Sequence, residues 1–199
     1  MALGTGRVWG LDLGRSAVKG VLLAKARDGV EILKVDIEPL RGQPSPSLND
    51  PSRDKRLWEA LRRFQERNRI VREKIVIAIP GQNTFNRNIM VARVGNKSLD
   101  ELIQYEASNE IPFVLDEVIW DYHLFPGQGK SFEQKGSLFA VKKVVVTTYL
   151  HSLQKSGFGG IDDITIAPIG LLNFLWNEID RDVSSMIIDV GAETTNMVA

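Results

Sequence analysis

Two short segments near opposite ends of this 199-residue sequence constrain its fold more than anything between them. Asp12-Leu13-Gly14-Arg15-Ser16 and Asp189-Val190-Gly191-Ala192-Glu193 each set an aspartate at the end of an apolar run, expected to be a buried strand. A glycine then takes a tight turn, and hydroxyl-bearing or small residues lead into a second β-rich run. The two aspartates stand 177 positions apart, so one strand–turn–strand device occurs twice and brackets most of the chain. Glycine at such a turn lets the backbone approach an anion, and successive turn amides form a concave nest suited to phosphate. A bare carboxylate beside phosphate would repel it. The aspartates make sense with Mg²⁺ between, since that ion keeps most of its waters and takes carboxylates sparingly. Lys19, seven residues after Asp12, is placed to reach back across the first hairpin as a point charge for phosphate.

The material between the loops reads as an α/β core with an insert. Residues 7–13 and 17–24 are β-rich runs joined by a Gly-Arg-Ser turn, and 30–37 follows the Arg27-Asp28-Gly29 turn as a third strand. The stretch 39–52, rich in Pro, Ser and Asn, is a loop. Leu57, Leu61 and Phe64 then recur at helical spacing. Residues 74–79 (KIVIAI) form a continuous apolar strand that Pro80-Gly81 ends, expected to be covered on both faces of a mixed sheet. The pattern then restarts. Residues 84–91 alternate as a strand, Ser98 and Glu101 form a capping box, and Pro112 stops the helix that they begin. Strands near 116–125 and 136–142 flank a polar loop at 126–135, and a helix spans about 143–156. From Gly157 the chain rejoins the first core through a strand at 161–167 and a helix at 169–178. A strand pair, 184–190 and 194–199, follows. The last strand stops inside what reads as a hairpin, so the chain is expected to be part of a longer protein.

Paired hairpins of this kind resemble the actin/Hsp70/hexokinase superfamily, in which two related half-domains clamp a nucleotide. The resemblance includes the Asp12-to-Lys19 interval. It narrows to the PilM family through Gly10-Leu11-Asp12-Leu13-Gly14-Arg15-Ser16-Ala17-Val18-Lys19, Ile77-Ala78-Ile79-Pro80-Gly81, Tyr105-Glu106-Ala107-Ser108-Asn109-Glu110-Ile111-Pro112-Phe113 and Ile187-Ile188-Asp189-Val190-Gly191-Ala192-Glu193. The Ile-Pro-Phe element with Leu115-Asp116-Glu117-Val118 and Asp121-Tyr122 after it discriminates most, and nearly the whole chain is covered.

The resemblance implies an actin-like (ribonuclease H-like) ATPase fold of mixed sheet with an inserted FtsA/PilM-type 1C subdomain, stopping before most of the second half-domain. Residues 1–82 would be the first part of subdomain 1A, 83–157 the insert, 158–182 the return to 1A, and 183–199 the start of subdomain 2A. It implies ATP and Mg²⁺ as cofactors. The phosphate-binding residues would be Asp12, Gly14, Arg15, Ser16, Ala17 and Lys19 on one side, and Asp189, Gly191, Ala192, Thr194 and Thr195 on the other. Asp12 and Asp189 would serve Mg²⁺ through water. It also implies a cytoplasmic scaffold of type IV pilus assembly. Such a scaffold docks, in the groove between core and insert, on the N-terminal cytoplasmic tail of a PilN-like membrane protein, and it meets other pilus-base proteins. The adenosine-binding motif would lie in the other half, so these 199 residues alone are expected to bind ATP weakly or not at all.

One departure bears on catalysis. Where relatives often carry Glu-Pro before the second loop, this sequence has Ala167-Pro168, and an alanine methyl neither orients nor deprotonates water. The expectation is therefore ATP binding with weak or no hydrolysis, and no residue is assigned a catalytic role. An FtsA-like cell-division protein and an actin-fold sugar kinase are the competing classes. A kinase would need an aspartate base between its domains.

Composition trims the remaining options. The 25 basic and 25 acidic residues cancel, which gives no electrostatic reason for a nucleic-acid partner. Cysteine is absent and the two histidines stand apart, so neither a disulfide framework nor a thiolate metal site is expected. No apolar run approaches the roughly 20 residues that cross a bilayer, and the N-terminus lacks a secretory signal. A cytoplasmic protein, peripheral at the inner membrane through its partner, is the expectation. Gly127-Gln128-Gly129-Lys130-Ser131 imitates a P-loop, but Leu124 stands where the first glycine is required and a strand follows. The nine basic and four acidic residues of 53–74 spread around an amphipathic helix and read as a solvated face.

Overall fold

Alternation decides where the first strand lies. In the computed structural model, which describes residues 6–42, 51–92, 98–125, 133–175, 183 and 185–198, Trp9, Leu11 and Leu13 of β1 (Arg7–Leu13) are buried. Their neighbours Val8, Gly10 and Asp12 are only half-buried, so one face of the strand meets the core. β2 (Ala17–Ala26) pairs antiparallel with β1, and β3 (Gly29–Pro39) antiparallel with β2. β4 (Lys74–Ile79) runs parallel to β1, and β8 (Asp163–Ile166) parallel to β4. The order β3-β2-β1-β4-β8 makes the expected mixed sheet, with β1 of the first hairpin as its central strand.

Helix α1 (Pro51–Asn68) buries Leu57, Ala60, Leu61 and Phe64. Phe64 stands edge-on to Trp9, with ring centroids 5.5 Å apart. Gly20 of β2 permits this, because a Cβ there would lie 2.4 Å from Phe64 Cζ and 3.0 Å from Leu11 Cδ2. Full burial of a phenylalanine contributes about 1.5–3 kcal/mol, so the missing methyl is worth more to the fold than a present one. β4 departs from expectation. Ile75, Ile77 and Ile79 are buried, whereas Val76 and Ala78 on the opposite face are half-buried.

A polar cluster joins β3 to α1. Glu38 is buried; it accepts from Arg63 Nε at 2.6 Å and from Arg67 Nη1 at 2.6 Å. Arg67 also donates to Asp36, as does Asn68 at 2.6 Å. Burial pushes both carboxyls up, but the hydrogen bonds from Arg67 and Asn68 to Asp36, and from Arg63 and Arg67 to Glu38, outweigh it. Together with the guanidinium charges they hold both acids below the usual carboxylate range. α1 ends at Asn68, the next residue Arg69 takes a left-handed φ of 51°, and the Gln65 side chain bonds both backbone groups of Ile70.

By internal contacts the chain forms two compact units, one of residues through Gly81 together with those from Thr148 onward, the other Gln82–Thr147. The second unit is a three-stranded antiparallel sheet, order β5-β7-β6, made of β5 (Thr84–Ala92), β6 (Val118–Leu124) and β7 (Glu133–Lys142). Its helix α2 (Leu99–Glu110) starts with the expected capping box. Ser98 Oγ accepts from Glu101 N at 3.3 Å, and the Glu101 carboxylate accepts from Ser98 N at 2.9 Å. Leu102, Ile103 and Ala107 pack there with Ile89, Val91, Leu138 and Ala140, and Lys142 lies over the ring of Phe113 at 4.5 Å.

α3 (Lys143–Lys155) carries the chain back into the first unit, where Leu153 and Phe158 are buried and Ser156 Oγ donates to Trp58 O at 3.1 Å. α4 (Ala167–Leu175) follows β8. β9 (Ile187–Val190) and β10 (Thr195–Val198) then pair with each other in a sheet of their own. The expectation that the strand before Asp189 is buried does not hold among the described residues: Ile188 is 57% and Val190 77% exposed, because β9 pairs with β10 and not with the five-stranded sheet. The P-loop imitation at 127–131 lies outside the described residues.

Candidate phosphate-binding site

The two hairpins are built by one rule. In the first, Asp12 and Lys19 are cross-strand neighbours, and Lys19 Nζ donates to Asp12 Oδ2 at 3.2 Å. In the second, Asp189 and Asn196 are cross-strand neighbours at the same seven-residue interval, and Asn196 Nδ2 donates to Asp189 Oδ2 at 3.0 Å. Each aspartate is thus aimed by a donor on the returning strand. The first hairpin uses a cation for this and the second a neutral amide.

Close approach demands glycine at the second turn and favours it at the first. A Cβ on Gly191 would lie 2.8 Å from Thr194 O, which already accepts the Gly191 N–H at 2.9 Å. A Cβ on Gly14 would lie 3.1 Å from Ala17 O. The first turn is braced from behind. Leu40 N donates to Ser16 O at 2.8 Å, Arg56 Nε holds Arg41 O at 3.0 Å, and Ala17 is buried. Ser16, Gly191, Ala192, Thr194 and Thr195 are exposed, as residues that meet a ligand from solution must be.

Arg15 and Glu193 join the hairpins directly. Arg15 Nε and Nη2 both reach Glu193 Oε2. The Arg15 side chain is 9% exposed, and its third nitrogen, Nη1, is buried with no hydrogen-bond partner. Near the second hairpin, a Cβ on Gly81 would lie 2.8 Å from Asn196 Oδ1 and 2.9 Å from Pro168 Cγ. The end of β4, the start of α4 and β10 therefore meet at one point. Sequence reading missed Glu193, Asn196 and Gly81 as site residues. The Asn196 signal was present in the repeated seven-residue interval; those of Glu193 and Gly81 depend on contacts across 178 and 115 positions.

The parts fit a phosphate group. Two glycine turns admit close approach, Lys19 supplies charge, and the unpartnered Arg15 Nη1 is a buried donor that an anion would satisfy. No cluster of three metal-ligating side chains occurs among the described residues. Asp12 and Asp189 are the carboxylates of the two hairpins that would face a divalent ion held through water. Ala167 opens α4 and offers no group that could activate water.

A mixed sheet whose hairpin turn faces a second hairpin of the same design defines the class: this is an actin-like ATPase fold. The family model of the type IV pilus assembly protein PilM matches residues 10–199, and the chain belongs to that family. Among solved structures it is similar to a PilM–PilN type IV pilus biogenesis complex, at TM-score 0.75 and 22% identity over 96% of this chain. It spans 57% of that matched chain. It is also similar in fold to the cytoplasmic domain of EpsL, an inner-membrane component of the type II secretion system of Vibrio cholerae. That match has TM-score 0.50 and 12% identity, and covers 80% of this chain and 57% of the other. A search of curated proteins finds no match.

Proposed function

We propose that this protein is an ATP-binding scaffold of type IV pilus assembly, located on the cytoplasmic face of the inner membrane. In this reading it docks on the N-terminal cytoplasmic tail of a PilN-like membrane protein and so meets the other proteins of the pilus base. Membership of the PilM family over residues 10–199 is the observation that carries the reading. The solved PilM–PilN complex of like fold supports the choice of partner. No described helix is long and apolar enough to cross a membrane.

ATP with Mg²⁺ is the ligand of the paired hairpins. Gly14, Arg15, Ser16, Ala17 and Lys19 hold phosphate from one side, and Gly191, Ala192, Thr194 and Thr195 from the other. Asp12 and Asp189 hold the ion through water. The nucleotide fixes a conformation and is turned over slowly, because Ala167 stands where a water-orienting side chain would be needed. The test is a pull-down of the full-length protein against N-terminal tails of neighbouring single-span membrane proteins. Capture of a PilN-like tail is expected. Failure to capture any tail, together with sugar-stimulated ADP production, would replace the scaffold with a kinase.

A further inference from the structure

The pair that joins the two hairpins is built as a competitor for phosphate. Arg15 is the most buried cation of the site, at 9% side-chain exposure, yet it is not fully used. Two of its nitrogens converge on one oxygen of Glu193, while Nη1 is buried without a partner. A buried N–H left unpaired has lost its water without a replacement, so this donor favours any anion that reaches it. A planar guanidinium binds phosphate oxygens two at a time and does so better than an ammonium. To take phosphate in that way, Arg15 must release Glu193 at least in part. Glu193 is also a carboxylate at the mouth of an anion site, 31% exposed, and its charge opposes an arriving phosphate. Lys19 is also paired with a carboxylate, Asp12, but its side chain is largely exposed and has room to turn, while Asp189 is held by the neutral Asn196 and occupies no cation.

We infer that Glu193 is an internal competitor for Arg15 that sets nucleotide affinity and ties occupancy of the site to the contact between the hairpins. The inference rests on the phosphate-clamp reading of the same site. With no nucleotide, the Arg15–Glu193 pair holds the loops together. A bound nucleotide phosphate takes the guanidinium, Glu193 is released, and its freed carboxylate reports the bound state at the surface of the second hairpin.

The test is calorimetric titration of Mg-ATP into the full-length protein, as wild type, Glu193→Gln, Arg15→Lys and the double variant. Removing the competing charge is expected to tighten ATP binding roughly tenfold in Glu193→Gln, about 1.4 kcal/mol. Arg15→Lys keeps a cation but loses the fork, and is expected to weaken binding. In that background Glu193→Gln is expected to change affinity less than threefold, because the competition has been removed. Melting without nucleotide supplies a separate readout: the two single variants are each expected to lower Tm, and the double no further than the worse single. If wild type binds ATP and Glu193→Gln binds equally or more weakly, the competitor role fails while the phosphate clamp stands. If neither wild type nor Glu193→Gln binds nucleotide, both fall together.

Discussion

Glu38 is a charge that the fold has drawn almost entirely out of water, and two arginines of α1 make that possible. Replacing it by alanine leaves Arg63 and Arg67 without their carboxylate. Arg67 is partly exposed and water-screened, so the expected cost is about 2 kcal/mol, below the value for a fully buried pair. The pH dependence follows from the direction of the shifts. Asp36 and Glu38 titrate lower in the folded state than in the unfolded chain. Their contribution is complete above the ordinary carboxylate range and is lost as pH falls through the depressed native values. Urea unfolding of Glu38→Gln is therefore expected to depend less steeply on pH below about 5 than wild type does. Gly20 offers a second test. Gly20→Ala drives a methyl into the Phe64 ring and is expected to cost about 2 kcal/mol, measured by denaturation. Gly159→Ala, with no atom within 4 Å of its Cβ, is expected to cost little. None of this was legible in the sequence. Glu38 looked like an ordinary strand-end acid because its partners sit 25 and 29 positions away.

Elements were read more faithfully than single contacts, because local chemistry writes them. A β-rich run before a Gly-Arg-Ser turn located β1, the helical spacing of Leu57, Leu61 and Phe64 located α1, and the pair Ser98 and Glu101 located the start of α2. Ser98→Ala removes the acceptor for the Glu101 amide and is expected to destabilise the second unit by about 1 kcal/mol, visible as a lower Tm. What the pattern could not fix was which apolar faces become buried. β4 and β9 both read as continuous hydrophobic runs. Ile75, Ile77 and Ile79 face the core, whereas Ile188 and Val190 lie open. An apolar run records that a residue type suits a sheet, while burial depends on which strand becomes its neighbour. The hairpins carry the same lesson for the site. Their turns were legible because turn chemistry acts over five residues. The Arg15–Glu193 contact was not, since it exists only once residues 178 positions apart are brought together.

At the scale of the molecule, the fold belongs to the actin-like class and the chain to the PilM family, and the account of its function turns on the hairpins acting as one device. If they clamp a nucleotide without hydrolysing it efficiently, phosphate release by the full-length protein stays well below about 1 s⁻¹, the lower end of ordinary enzyme turnover. Faster release that Asp12→Ala abolishes would contradict the role given to Ala167. The most direct measurement is calorimetric titration of Mg-ATP into the full-length wild type and two single-hairpin variants, Asp12→Ala and Gly191→Val. The first removes the β1 carboxylate that Lys19 of β2 holds, and the second places a side chain against Thr194 O in the loop after β9. One nucleotide per chain is predicted for wild type, with at least a tenfold loss of affinity in each variant. Either variant binding ATP as tightly as wild type would show that its hairpin is no part of the clamp.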